Sequence, residues 1–462
     1  MRTLSLLQVA EWTDGALIQG VPADTVAAVS TDSRKAGPGQ LFVALKGEKH
    51  DGHKFVKEVG EAGVPAILVS ALPLETESYT GGIIRVKDTL KALQLLAYRH
   101  RLASREVFAV GVTGSNGKTS TKDFLAAVLA QDGPVNATAG NFNNHIGLPL
   151  TMLAGGEGDR YGVWEMGMNH AGEIGSLADI ALPDAAVVTH IGTAHIEHLG
   201  SRDAIAAEKS SLPEAIPAGG FCAMPEGDDY YDFVRGRIRC EMVGVGIGRG
   251  AVRAERLRPD GEGRMGFDLV SDYARAVPVS LPVRGEHMVS NALLAAAVGL
   301  RRGIDPEAIA AALASATLTK GRLEEKSVAG IAFLDDSYNA NPDSMLAALR
   351  TLRAAEVAGR RVAVLGFMGE LGEHEEAEHL RLGERVAEEG VEILVTVGER
   401  AARINERAGR LAVNRNFPTH EEAAAFLRET LAPGDLVLVK GSRSAGMERV
   451  IAAFAAAAAD PA

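Results

Sequence analysis

The stretch most open to a chemical reading is Gly111-Val112-Thr113-Gly114-Ser115-Asn116-Gly117-Lys118-Thr119. It follows an apolar run, Val107 to Val112, and leads into helix-favouring residues from Thr119. That strand–loop–helix context is what a phosphate-binding loop requires. Glycines let backbone N–H groups wrap phosphate oxygens, and a helix start adds partial positive charge. Lys118 can reach β- and γ-phosphates, and the Thr119 hydroxyl can ligate Mg²⁺. Val112 stands where the longer eight-residue pattern has glycine, so this is the shorter TGxxGKT form. Neither the Asn-Lys-x-Asp of guanine binders nor the Leu-Ser-Gly-Gly-Gln of transporter ATPases occurs. ATP is favoured by elimination.

Further along, Glu165 ends an apolar run in Trp-Glu-Met-Gly-Met. Open α/β sheets bind ligands outside the carboxyl ends of their strands, so a carboxylate there can hold a second Mg²⁺. His190, His195 and His198 follow the next apolar run, Ala185 to Thr189. Their spacing is a poor zinc pattern, and one histidine at a metal edge is the simpler reading. Lys209 falls in a helical stretch, Ala206-Ala207-Glu208-Lys209. A plain ammonium would be repelled by metal ions. It could pair with phosphate, or react with CO₂ to give a carbamate ligand, and residue chemistry alone leaves both open. Arg443 lies just past the run Asp435 to Val439, where a guanidinium could grip a carboxylate at two points.

These groups need a scaffold, and the chain is long enough for about three domains at ~150 residues each. Its 462 residues include 48 basic and 60 acidic side chains, a formal charge of −12 that argues against general nucleic-acid binding. Cys222 and Cys240 are too few for a disulfide framework or a cysteine-rich zinc site. No apolar run approaches the ~20 residues of a membrane span, and Glu11 interrupts any signal-peptide core. A cytoplasmic protein is expected. With 52 glycines but only 2 tryptophans and 7 tyrosines, loop-rich α/β architecture fits better than an aromatic-packed sandwich.

Three α/β blocks are predicted, over residues 1–104, 105–316 and 317–462. In the first, strands are expected at Leu41 to Leu45, Ala66 to Ser70 and Gly82 to Val86, with Asp88 capping a helix to about Ser104. The second carries the phosphate loop on a mostly parallel sheet. From Phe221 to Arg284 shorter alternating segments predict an antiparallel ribbon, before helix resumes over Ser290 to Arg301. The third repeats strand, helix, strand from Ile331 to Val439 in a Rossmann-like order. The alanine-rich tail Ala452 to Ala459 reads as a fraying helix end.

Thr113 to Ser120 matches the ATP loop of the Mur ligase family, and the chain resembles that family over all three blocks. The branch it resembles most adds D-alanyl-D-alanine to UDP-N-acetylmuramoyl-tripeptide. Thr31-Asp32-Ser33-Arg34 and Phe42-Val43-Ala44-Leu45-Lys46-Gly47 resemble the family's UDP-binding segments. Asn141-Phe142-Asn143-Asn144-His145-Ile146-Gly147 resembles its substrate-side loop. The resemblance implies a three-domain fold with substrate contacts at Ser33, Arg34, Lys46, Asn141 and Asn144. It implies Glu165 and His195 at the metal site and Lys209 as a CO₂-derived carbamate. Gly285 to Ala292 resembles the adenine side, with Asn291 at the base. Lys320-Gly321-Arg322-Leu323-Glu324 matches the segment whose arginine reaches ATP phosphates. In Asp335-Asp336-Ser337-Tyr338-Asn339-Ala340-Asn341-Pro342, Asp336 is expected at the ribose. Tyr338, Asn339 and Arg443 are expected near the incoming dipeptide. One departure is that Ser210-Ser211 follow Lys209 where many relatives have Gly-Glu.

The implied reaction is ATP-driven amide formation through an acyl phosphate, in peptidoglycan precursor synthesis. The implied cofactors are ATP and Mg²⁺, the partners are small-molecule substrates, and a monomer is expected. The third block is expected to close over the second, with hinges near residues 105 and 317. Alternatives are a sister ligase adding another amino acid, a folylpolyglutamate synthase-like ligase, or a non-catalytic nucleotide-binding scaffold.

Overall fold

The computed structural model describes residues 1–47, 50–72, 74–409 and 411–456. Three larger sheets divide them. The first has five strands, in the order Ala16–Gln19, Gly82–Arg85, Ala66–Val69, Gln40–Val43, Ala28–Ser30. Asp88 caps the helix Thr89–Ala103 by accepting from the amides of Leu90 and Lys91, as its position before an amphipathic run predicts.

The second sheet has nine strands. Phe108–Thr113 lies between Tyr161–Glu165 and Ala185–Val188, parallel to both. Chain order reverses direction across the sheet at this strand, and such switch points open a crevice at the strands' carboxyl ends. Thr113 is level with Val188, and Val112 with Glu165, so three loops leave the sheet at one edge. The expectation of an antiparallel ribbon from Phe221 is half right. Phe221–Pro225, Glu241–Ile247 and Val252–Pro259 extend the parallel sheet. Only Arg264–Ser271 and Val277–Arg284 pair antiparallel. The helix between the first two, Tyr231–Arg235, has only five residues, and the second and third are joined by a short turn, which is why pattern alone misassigns them.

The third sheet runs Glu324–Val328, Ile331–Asp336, Leu436–Lys440, Arg361–Leu365, Ile393–Val397, Val413–Phe417, parallel after its first pair. Glu324–Val328 and Val413–Phe417 were not predicted; both are polar edge strands that carry no apolar run. The last described helix is Glu448–Ala456; the remaining tail to Ala459 lies outside the described residues.

The cores are not distributed one per sheet. Leu93 and Leu96 of Thr89–Ala103 share a core with Leu148, Leu153, Ile174 and Leu177 of the second block. Arg101, 1% exposed, is surrounded by acceptors. It donates to the carbonyls of Ser104, Val107, Ala181 and Leu182 and to Asp184 Oδ2, at 2.8–3.1 Å. Asp184 Oδ2 also accepts from the Ala109 amide at 2.8 Å. A hinge near residue 105 is therefore replaced by a rivet. The third block has cores of its own. Among the described hydrophobic residues of the second block, Ile196 alone packs against either.

Candidate active site

The phosphate loop takes its shape from two glycines. Gly114 has φ +147° and Gly117 φ +80°, and Gly117 precedes the helix Lys118–Leu129. A Cβ on Gly114 would lie 1.9 Å from Thr189 Oγ1, and one on Gly117 would lie 2.5 Å from Asn291 Oδ1. Both neighbours belong to the site wall, so glycine is needed for space as well as for torsion. Neighbouring loops brace the turn. The Ser115 amide donates to the His190 carbonyl at 2.7 Å, the Gly192 amide donates to Ser115 Oγ at 2.9 Å, and the Thr189 hydroxyl donates to the Asn116 carbonyl.

Above the loop lies a cavity of about 1630 Å³ with walls from all three blocks. The second block contributes Ser115 to Ser120, Asn141, Asn144, Glu165, His195 and Asn291. The third contributes Arg322, Asp336, Tyr338, Asn339 and Arg443. From the first block only Leu90 and Gln94 reach it. Thr113 and Gly114 lie beneath the loop, the Thr113 hydroxyl donating to the Met166 carbonyl at 3.0 Å. Ser33, Arg34 and Lys46 are outside the cavity; Arg34 is exposed and closes on Asp32 with contacts of 2.8 and 2.9 Å.

Glu165 is the hub. Its Oε2 accepts from the Thr119 hydroxyl at 2.9 Å, and its Oε1 from the Asn143 amide at 2.8 Å. Arg322 Nη2 donates to Thr119 Oγ1 at 2.8 Å, which ties the third block to the end of the phosphate loop. Lys118 Nζ donates to the Gly114 carbonyl at 2.7 Å. Burial lowers the Lys118 pKa, and the Glu165 charge opposes that. Two donors, Asn116 Nδ2 and Arg322 Nε, are buried without a partner. Buried unpaired donors are costly, and these two sit in a wall where phosphate oxygens would satisfy them.

His195, at φ +66°, holds its Nδ1 2.5 Å from Glu370 Oε2. Burial lowers its pKa and the Glu370 carboxylate raises it, with a net downward shift. Lys209 is 1% exposed and is not part of the cavity wall. Burial, and then the charge of Lys118, hold its pKa well below the ordinary lysine value. Its neighbour Glu208 accepts from the amides of Gly172 and Ile174, capping the helix Glu173–Ala181. Ser210, which follows Lys209, is buried, its hydroxyl donating to the Ala206 carbonyl.

Mg²⁺ fits the donors present. Thr119 and Glu165 supply hard oxygens on one wall, the ligand type this ion prefers. Among the described residues no three of His, Cys, Asp and Glu converge on one point. The rest of a coordination shell would come from phosphate, water or a carbamate.

In the third block, Asp336 accepts from Lys440 Nζ at 2.5 Å and from the Leu323 amide at 3.2 Å. Arg322 lies 4.2 Å over the Tyr338 ring and Arg443 6.0 Å from it. The Asn339 carbonyl accepts from Lys440, and its Oδ1 from the Arg443 amide at 3.4 Å. Asn144 Oδ1 is used locally, by the amides of Ile146 and Gly147.

Four contributors escape sequence reasoning: Asn143, Glu370, Lys440 and Asp343. Asn143 and Lys440 lie inside motifs that are legible. Glu370 follows an apolar run in a Gly-Glu-Leu-Gly turn, which is a detectable signal. Asp343 reads only as a first-turn helix acid.

Three family descriptions match along the chain. "Mur ligase family, catalytic domain" covers residues 25–101, "Mur ligase middle domain" 112–299, and "Mur ligase, glutamate ligase domain" 321–443. The chain is 38% identical to UDP-N-acetylmuramoyl-tripeptide–D-alanyl-D-alanine ligase of Bacillus subtilis, over 96% of each. It is 37% identical to the enzyme of that name from Escherichia coli, over 98% of this chain and 99% of that one. Among solved structures, MurF from Acinetobacter baumannii superposes with a TM-score of 0.91 at 33% identity, covering 99% of both chains. MurF ligase from Thermotoga maritima in complex with ADP does so at 0.83 and 28% identity, covering 93% and 97%. The chain belongs to the Mur ligase family.

Proposed function

We infer that this protein is an ATP-dependent ligase joining D-alanyl-D-alanine to the peptide carboxylate of UDP-N-acetylmuramoyl-tripeptide, a step of peptidoglycan precursor synthesis. One observation carries the reading beyond sequence likeness. Arg322 of the third block reaches the Thr119 hydroxyl of the phosphate loop at 2.8 Å, beside Glu165. Groups from two blocks thus meet where the γ-phosphate of a bound ATP would lie.

A carboxylate is a poor acyl donor because oxide is a poor leaving group. The substrate carboxylate attacks the γ-phosphate and the bond to ADP breaks, giving an acyl phosphate. The dipeptide amine then attacks the carbonyl, phosphate leaves, and the amine's extra proton passes to solvent or phosphate. Both anions must be brought together, and Lys118 and Arg322 supply the positive charge on this chain. Mg²⁺, held by Thr119 and Glu165, would add Lewis-acid stabilisation of the phosphoryl oxygens. Asn143 orients the Glu165 carboxylate, and Glu370 fixes the His195 ring so that Nε2 faces away from it.

Lys209 is assigned a carbamate. A buried amine whose pKa is depressed holds its lone pair free to attack CO₂; a C–N bond forms and a proton is lost to water. The product is an anion that suits a site with Lys118 and metal nearby. Together with His195 it would serve a second Mg²⁺. Ser120 and Asn116 complete the phosphate cradle, Asn291 is placed at adenine and Asp336 at ribose. Ser33, Arg34 and Lys46 hold the UDP moiety on the first block, Asn141 and Asn144 the peptide, and Tyr338, Asn339 and Arg443 the incoming dipeptide. No helix among the described residues is long and apolar enough to cross a membrane, which agrees with action in the cytoplasm. The protein is taken to work as a monomer.

The deciding assay measures ADP release and ligated product with D-Ala-D-Ala against D-Glu, diaminopimelate and L-Lys. Tripeptides ending in diaminopimelate or lysine are compared side by side. Turnover that needs both carboxylate and amine excludes a nucleotide-binding scaffold. Product with another amine replaces this reading by a sister ligase. Lys118→Ala is expected to abolish turnover. Lys209→Ala is expected to be nearly inactive; full activity would remove the carbamate.

A further inference from the structure

Beside the phosphate loop, away from Glu165 and Lys209, the second and third blocks meet at a single glycine. The Gly192 amide is committed to Ser115 Oγ at 2.9 Å. Next to it, Thr193 donates twice to Asp343 Oδ2, through its amide at 2.9 Å and its hydroxyl at 3.2 Å. Asp343 stands in the first turn of the third-block helix Pro342–Ala354. Asn341 caps that helix by accepting from the Ser344 amide at 2.9 Å. The other end of its side chain donates to Asn116 Oδ1 of the phosphate loop at 2.8 Å. One helix start is thereby fixed to the phosphate loop directly through Asn116 and indirectly through Thr193, Gly192 and Ser115.

A side chain at this point would have to push the Asp343 carboxylate off Thr193. A Cβ on Gly192 would lie 2.1 Å from Asp343 Oδ2 and 3.0 Å from His190 Nε2. Gly192 is not in the left-handed region, so its backbone would accept alanine and the obstacle is bulk alone. His190 is anchored from behind, its Nδ1 2.8 Å from Asp228 Oδ2. Burial lowers the pKa of this imidazole, Asp228 and then Asp343 raise it, Arg202 lowers it, and the net shift is upward. Arg202 is itself paired with Asp229 at 3.1 Å. The His190 ring therefore faces the Asp343 carboxylate across the space that Gly192 keeps open.

We propose that Asp343 is a positioning residue for ligation: through Thr193, and through the gap at Gly192, it seats the helix Pro342–Ala354 on the phosphate loop and so sets where the third block's site residues stand over the nucleotide. Tyr338 and Asn339 lie just upstream of the helix, separated from it only by Ala340 and the cap Asn341, so a shift of its first turn moves both. Contacts that place reacting groups are steep in their effect, since a misplacement of about 1 Å can cost on the order of a hundredfold in rate. The proposal rests on the ligase reading above.

The experiment uses the full chain and three variants, Gly192→Ala, Asp343→Ala and Asp343→Asn. ADP and ligated product are measured separately, with KM for each substrate and the affinity for a fluorescent ADP analogue. Gly192→Ala and Asp343→Ala are expected to lower product formation at least about tenfold and to raise KM for D-Ala-D-Ala. They are also expected to release more ADP than product, because a badly seated third block leaves the acyl phosphate open to water. Affinity for the ADP analogue should fall less than product formation does, as no residue of the phosphate loop is substituted. Asp343→Asn keeps an acceptor for Thr193 and should recover part of the loss. Rates and KM within about twofold of the parent for both alanine variants would overturn the proposal. So would a loss that follows nucleotide affinity and melting temperature alone. If the parent makes no ligated product, the ligase reading fails, and small-angle scattering with ADP bound decides the seam. An unchanged profile in Gly192→Ala then overturns it, and an expanded one supports it.

Discussion

Between the first and second blocks, Leu93 and Leu96 enter one core with Leu148 and Ile174, and Arg101 is held by five hydrogen bonds. Between the second and third, the contacts include Thr193 to Asp343, Asn116 to Asn341, His195 to Glu370, Thr119 to Arg322 and Asp123 to the Thr319 amide. The first seam is mostly buried; the second borders a cavity with openings to solvent. Burying apolar surface is worth about 25 cal/mol per Å² and is lost only when the surfaces part. Hydrogen bonds net about 0.5–1.5 kcal/mol each, because water takes their place on opening. The molecule therefore has one seam tied by a shared apolar core and another tied by separate polar contacts.

The sharpest way to break this contrast is Arg101→Ala. Leaving Asp184 and four carbonyls without their buried partner should destabilise the protein by about 3–5 kcal/mol. Hydrogen exchange should show the first and second blocks losing protection together while the cores of the third keep theirs. Exchange confined to residues 1–104 would mean the first block is separable after all. Leu96→Ala tests the apolar half of the same seam, with an expected cost of about 2–5 kcal/mol in chemical denaturation. A value near zero would deny the shared core its importance.

At the other seam the lever is pH. The pKa of His190 is raised in the folded arrangement, so the stabilisation from its charge is complete below the ordinary histidine value of about 6.5 and fades as pH rises through the raised value. Asp228, whose pKa is lowered mainly by His190 despite an opposing burial effect, stays ionised throughout that window. A distance probe between the second and third blocks should thus lengthen as pH rises from about 6.5 through the raised His190 value, while one between the first and second stays constant. Equal response of the two probes would erase the distinction. The smallest effect belongs to Glu325→Gln, which removes the Arg284–Glu325 contact of 2.6 Å bridging the second and third sheets. Partly exposed pairs of this kind contribute about 0–1 kcal/mol, so melting temperature and activity should stay close to the parent's.

What could be read before folding was whatever is written locally. The phosphate loop, Glu165 at a strand end and Asp88 as a cap depend on residues within a turn of one another, and each stands where spacing places it. What could not be read is set by contacts far apart in the chain. Asn143 reaches Glu165 across 22 residues and Arg322 reaches Thr119 across 203. Lys209 looks like an exposed helix lysine in Ala-Ala-Glu-Lys-Ser-Ser, and only tertiary packing buries it. Val-Asn-Arg-Asn-Phe over Val413–Phe417 is a strand because Ile393–Val397 offers it an edge, which its own composition does not announce. The expected hinge near residue 105 failed for the same reason: Arg101 finds its acceptors at Ala181, Leu182 and Asp184, some 80 residues later.

That separation has a consequence during synthesis on the ribosome. At about 5–20 residues per second, Arg101 emerges on the order of 4–16 seconds before the carbonyls that receive it. Through that interval the helix Thr89–Ala103 has an apolar face with no cover and a cation with no counterpart. The nascent first block is thus a natural client for chaperones, and the stretch of message encoding residues 105–184 is where translation speed would govern the yield of native protein.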